Sequence, residues 1–155
     1  MATTARQTDE EQVVILELAG EAYGVEIDRV QEIIRMQPIT RVPNGPACVE
    51  GVTNLRGRVI PVLDLRKRFA LHATEPTRRS RIVVAELGHY TVGLVVDAVS
   101  EVLRVPSDAV EPPSALVTTA DSAYLRGVAK LAERLVLLLD LSRILSDGEQ
   151  TDLAA

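Results

Sequence analysis

The chain has 155 residues, 46% of them hydrophobic, and its 17 Lys and Arg against 22 Asp and Glu leave a net charge of −5. That size and apolar content can bury a substantial core, as one domain or two closely packed lobes, while the acidic balance argues against a nucleic-acid backbone as the main partner. The lone Cys48 excludes an internal disulfide, no basic n-region with an apolar h-region opens the chain, and the longest aliphatic run, Leu135 to Leu139, is far below the roughly 20 residues of a membrane helix.

With no Trp, one Phe and three Tyr, the core must be aliphatic, and its Val, Ile and Leu clusters favour strands. Residues 1–12 are polar and are expected to be disordered. Val13 to Leu18 reads as a buried strand that turns through Gly20, Glu21 and Ala22 into a second strand from Tyr23 to Ile27. Val30 to Arg35 fits a helical turn or a strand; the β-branched residues and the nearby Pro38 favour the strand. A hairpin follows, rising through Leu55, turning at Gly57, which can supply a positive φ, and descending from Val59 to Leu63. Pro61 is then expected on an edge or at a bulge, because it cannot donate to a ladder. Asp64 is placed to cap a short helix from Leu65 to Phe69. Residues Ala70 to Arg81 are poor in apolar side chains and predict an exposed loop. Ile82 to Leu87 and Tyr90 to Val96 form another hairpin about Gly88 and His89. Asp140 should cap a second short helix from Leu141 to Leu145, ahead of a mobile tail over 146–155.

These elements repeat. Glu17 to Arg35 matches Glu86 to Arg104 at Glu17/Glu86, Leu18/Leu87, Gly24/Gly93, Asp28/Asp97, Val30/Val99, Glu32/Glu101 and Arg35/Arg104. Gly51 to Leu65 matches Gly127 to Leu141 at Gly51/Gly127, Val52/Val128, Leu55/Leu131, Arg58/Arg134, Leu63/Leu139, Asp64/Asp140 and Leu65/Leu141. Two blocks repeat in the same order, so one structural unit is written twice. The expected fold is mainly β: two SH3-like five-stranded β-barrel lobes on a shared hydrophobic core, roughly 13–75 and 80–145, with exchange of strands between lobes allowed.

Candidate chemistry is sparse. Asp64 and Asp140 resemble a symmetric acid pair, but the residues after them suit helix caps better than an aspartic dyad. His72 and His89 fall in predicted exposed turns and Cys48 has no spacing partner, which supports no metal site, cofactor or Cys/His nucleophile. The runs Arg66-Lys67-Arg68 and Arg78, Arg79, Arg81 could attract an acidic partner or simply be solvated. Arg56 differs, because its counterpart in the second copy is Ala132 and the scaffold therefore needs no cation there. Its planar donor fork would pair a carboxylate or face a partner, and Glu32 in the other repeated block is the natural acid. Asn54, whose counterpart is Lys130, is likewise particular to the first copy.

The segments NLRGRVIPVLDLRKRF (Asn54 to Phe69), YGVEIDRVQEIIR (Tyr23 to Arg35), GLVVDAVSEVLRVP (Gly93 to Pro106) and EPP (Glu111 to Pro113) closely resemble the CheW-like chemotaxis coupling proteins. The resemblance spans about Val13 to Leu145. It implies the paired SH3-like barrels and a non-catalytic, cytoplasmic adaptor in signalling arrays at the inner face of the membrane. Such an adaptor bridges the cytoplasmic tips of chemoreceptors (methyl-accepting chemotaxis proteins) to the regulatory domain of the histidine kinase CheA. The family motif maps onto Asn54, Arg56 and Gly57, with Glu32 as the acid that resembles the partner of the Arg. Val30 and Val99, equivalent in the two copies, are expected beside a groove between the lobes that takes a receptor helix. Little chain flanks the two lobes, which points to the free coupling protein. Other readings are an adaptor of a non-chemotaxis two-component pathway, a small β-barrel binding module for another ligand, or a barrel enzyme.

Overall fold

The computed structural model describes residues 10–42, 49–69, 71–72, 74–113, 124–132 and 134–144. Cys48, Leu145, the first nine residues and the tail over 146–155 lie outside them.

Among the described residues, eleven strands build two sheets. The first half of the chain supplies β1 (Glu10–Leu18), β2 (Glu21–Glu26), β3 (Val30–Arg35), β4 (Val49–Leu55) and β5 (Arg58–Asp64), followed by the helix α1 (Leu65–Arg68). The second supplies β6 (Arg81–Leu87), β7 (Tyr90–Val96), β8 (Ala98–Pro106), β9 (Val110–Glu111), β10 (Leu125–Leu131) and β11 (Arg134–Leu139). The first sheet has the order β8-β1-β2-β11-β10-β9 and the second β3-β6-β7-β5-β4. Replacing each strand by its repeat partner turns β8-β1-β2-β11-β10 into β3-β6-β7-β5-β4, so the two sheets are wired alike.

Each sheet nevertheless mixes the two halves of the sequence. The hairpin β1–β2 pairs with β8 on one side and, in parallel, with β11 on the other; the hairpin β6–β7 pairs with β3 and, in parallel, with β5. The halves have exchanged their opening hairpins. This is why Val13 to Leu18 is almost unbroken apolar sequence: alternate residues face two cores. Val13 and Ile15 pack with Val105, Ala129, Val136 and Leu138 inside the first sheet, while Val14, Leu16 and Leu18 join a core shared with Leu63, Val83, Leu94 and Val96 of the second. In β6, Ile82 and Val84 pack with Ile60 in their own sheet, while Val83, Ala85 and Leu87 face the shared core.

Several details depart from expectation. Among the described residues the strands form two open sheets and neither closes into a barrel. The predicted disordered segment extends too far, because β1 begins at Glu10 and Glu10 to Gln12 pair with β8. The first hairpin turns at Ala19 and Gly20, both with positive φ, and Glu21 and Ala22 belong to β2. Pro61 is neither on an edge strand nor at a bulge, since β5 lies between β7 and β4. Its missing N–H costs nothing all the same. Opposite it, Val52 directs its own N–H and C=O away, to Thr40, and pairing with β7 begins only at Val62. Both caps are as expected: the Asp64 carboxylate accepts from the Arg66 N–H at 2.9 Å and the Asp140 carboxylate from the Ser142 N–H at 3.0 Å. Burial pushes the Asp64 carboxyl above its ordinary value.

The repeated Gly51 and Gly127 mark close approaches. A Cβ on Gly51 would lie 2.1 Å from the Thr40 carbonyl oxygen, and one on Gly127 would lie 2.8 Å from a Val110 methyl.

Candidate functional site

The segment Gln37 to Thr40, which follows the edge strand β3, is tied by polar bonds to the other edge strand, β4. Thr40 and Val52 exchange two backbone hydrogen bonds of 2.8 Å. Thr53, only 4% exposed, donates its hydroxyl to the Pro38 carbonyl at 2.9 Å and accepts from the Gln37 amide at 2.8 Å. That amide also donates to the Asn54 carbonyl at 3.0 Å. A buried hydroxyl needs such partners, and having them fixes the end of β4 in place.

Beyond the clamp the chain turns through Arg56 and Gly57, with φ of 52° and 85°. Consecutive positive φ values are those of a type I′ hairpin turn, with Arg56 as the first of its two turn residues. Glycine enters this region freely and arginine does not. Asn54 offsets the strain locally, its side-chain oxygen accepting from the Gly57 N–H at 2.8 Å. The turn aims the guanidinium across the gap at Glu32 on β3, where Nη1 and Nη2 donate to the two carboxylate oxygens at 2.5 and 2.7 Å. Two parallel charge-assisted bonds fix an orientation as well as a distance. These bonds hold the Glu32 carboxyl below its usual range, with burial opposing, and raise the Arg56 guanidinium further. The Arg56 side chain is 72% exposed and that of Glu32 26%, so the pair presents its cationic side to solvent. Val59, 68% exposed, stands opposite Asn54 in the ladder and adds apolar surface at the same end.

Glu32, Asn54, Arg56 and Gly57 are thus brought together. Val30 and Val99 are not at this end; both are half-buried against the core shared by the sheets, Val30 opposite Ala85 and Val99 opposite Leu16 in their ladders.

Against this geometry, the CheW-like domain family matches residues 12–149. The chain belongs to the CheW-like family. It is 37% identical over 145 residues to the chemotaxis protein CheW of Klebsiella aerogenes, covering 94% of this chain and 87% of that one. It is 33% identical over 147 residues to CheW of Thermotoga maritima, covering 95% of each. The scaffolding protein TtCheW from Thermoanaerobacter tengcongensis superposes with a TM-score of 0.81 at 37% identity, over 90% of both chains.

Some CheW-like residues that matter here escaped the sequence reading. The run Arg66-Lys67-Arg68 is not a solvated face. Arg66 donates from Nε and Nη2 to the Asp97 carboxylate at 2.8 and 2.6 Å, and Asp97 also accepts from the Ala19 N–H at 2.8 Å. This clasp joins α1, the end of β7 and the first hairpin turn, and Arg66 holds the Asp97 carboxyl below its ordinary value. Lys67 pairs with Glu50, and the Arg68 guanidinium lies 5.1 Å from the centre of the Tyr124 ring. The Asp28/Asp97 identity is the one signal the sequence offers, and it names no partner. Gln37 and Thr53 carried no signal at all, because their bonds join segments whose proximity only the folded sheet creates. Among the described residues, no cluster of His, Cys, Asp or Glu could hold a metal, and no helix is long and apolar enough to cross a membrane.

Proposed function

We propose that this CheW-like chain is a non-catalytic chemotaxis adaptor that couples the cytoplasmic tips of chemoreceptors to the regulatory domain of the histidine kinase CheA. Family membership over nearly the whole chain carries the reading. The local observation that supports it is the Arg56–Glu32 fork at an exposed hairpin end, which fixes a rigid cationic and apolar surface without any catalytic constellation. Each sheet, curled about its own small core, corresponds in this reading to an SH3-like lobe. The receptor helix packs beside Val30 and Val99, where the lobes meet, and the kinase takes the hairpin end near Gly57. Two partners on so small a body imply interfaces below the usual roughly 800 Å² per partner, so assembly relies on multivalency. The protein then works in the cytoplasm and reaches the membrane only through receptors.

Reconstitution tests this. The chain should copurify with receptor tips and CheA together and alter kinase activity in their presence. Val30→Asp or Val99→Asp should weaken receptor binding in a folded protein. Reversing either Arg56 or Glu32 should weaken coupling, and the double swap should restore it. A chain that copurifies with neither partner sinks the proposal.

A further inference from the structure

The far end of β3 carries a feature that neither the fold nor the coupling site uses. Arg35, the last residue of β3, lies directly opposite Arg81, the first of β6. Like charges facing each other across a ladder destabilise it, so the sheet gains nothing from this pairing. Arg35, Arg78 and Arg81, with Met36, Thr77 and Ser80, line an open cleft of about 480 Å³, and none of these lining residues is acidic. In a chain of net charge −5 this is a local reversal of sign.

Arg78 and Arg81 are carried by a built turn. The Thr77 N–H donates to the Ser80 hydroxyl at 2.8 Å, the Ser80 N–H to the Thr77 carbonyl at 3.1 Å, and the Arg79 N–H to the Thr77 hydroxyl at 3.1 Å. Ser80 is buried beneath them. Arg81 donates from Nη1 to the Arg78 and Ser80 carbonyls, both at 2.8 Å, which fixes its guanidinium without neutralising it. Neighbouring arginines are consumed internally, Arg66 by Asp97 and Arg79 by Glu17. Arg35 and Arg78 are exposed and make no ion pair among the described residues.

We propose that the Arg35–Arg78–Arg81 cleft docks a carboxylate-rich segment of a protein partner. Guanidinium forks match carboxylates in geometry and charge, and Met36 supplies an apolar wall for the methylenes of Glu side chains. No aromatic ring lines the cleft to stack a base. Three arginines are also fewer than the clusters of about 4–8 basic residues that read an anionic membrane. The inference does not depend on the coupling role, because the cleft can be tested with a defined peptide alone.

A fluorescein-labelled octaglutamate peptide, titrated into the full chain and followed by anisotropy, should bind saturably and more weakly as salt rises. Amide resonances of Arg35, Met36 and Arg78 to Arg81 should shift. The double variant Arg35→Ala/Arg78→Ala should lose about tenfold or more in affinity while circular dichroism stays unchanged, the single Arg78→Gln should lose less, and Arg29→Ala should lose nothing. Octaglutamine and phosphatidylserine vesicles should not compete. Absent or non-saturable binding, equal loss in Arg29→Ala, shifts elsewhere, or displacement by vesicles would overturn it.

Discussion

The hairpin ends of the two sheets occupy equivalent places and each closes an acid of the third repeat strand against an arginine, but the arginine comes from a different position. Glu32 is held by Arg56, from the left-handed first position of a tight turn, through two bonds. Glu101, its copy, is held by Arg134, the first residue of β11, at 2.9 Å. Arg134 is the copy of Arg58, which is exposed, while the copy of Arg56 is Ala132. The duplicated acid is therefore scaffold, and it takes whichever arginine its hairpin can deliver. Strain separates the two ends. A non-glycine residue with positive φ persists only where its surroundings over-determine it, and Asn54, Gly57 and the Gln37–Thr53 clamp do so at the β4–β5 hairpin. An observed strain of this kind points toward function and supports the proposal that the functional surface lies at the Arg56 end.

That contrast can be broken from several directions. The largest effect is expected at the close approaches: Gly51→Ala should cost about 3 kcal/mol in urea unfolding, since its methyl meets the Thr40 carbonyl at 2.1 Å, and Gly127→Ala about 1 kcal/mol, since its nearest contact is a movable Val110 methyl and the Glu111 carbonyl lies farther, at 3.0 Å. Equal losses would show that the two approaches are equally tight. Next comes the clasp. Asp97→Ala should cost about 2 kcal/mol through lost charged bonds, whereas its exposed copy Asp28→Ala should stay within about 0.5 kcal/mol. The Asp97 carboxyl has a folded pKa below the unfolded value of about 3.9. Its contribution should therefore be fully present above that value and disappear as the pH falls through the folded pKa. An Asp97→Asn protein should track the wild type in acid and fall behind it near neutrality.

At the hairpin ends, Arg56→Glu should weaken partner binding on the order of tenfold, and Arg134→Glu should leave it nearly unchanged; pull-down titrations with receptor tips and kinase separate them. A like loss in both would mean that the ends are functionally equivalent. The smallest effect is expected for Thr53→Val, about 1 kcal/mol for a buried hydroxyl that bonds Pro38 and Gln37, with faster amide exchange confined to Asn54 through Gly57.

Much of this was legible in the chain. Short-range chemistry set the hairpin about Gly57, the caps at Asp64 and Asp140 and the strand at β3, because each depends on residues within a few positions of one another. The pairing of Arg56 with Glu32 could be foreseen because duplication singled out a cation the scaffold did not need. Arg66 was misread for the opposite reason: nothing near it in sequence reveals that Asp97 and Ala19 converge on it.

By itself, the sequence determined the duplication, the strand-rich pattern, the family and the position of the distinctive hairpin, all of which are carried by residue identity and local spacing. Only the tertiary structure decided that the two halves exchange their opening hairpins. Either partner sheet satisfies the same period-two pattern and presents the same ladder. The choice rests on which apolar faces meet across the shared core, a quantity no local segment contains. That same exchange places β3 of the first half beside β6 of the second, and so creates the opposed Arg35 and Arg81 that line the basic cleft.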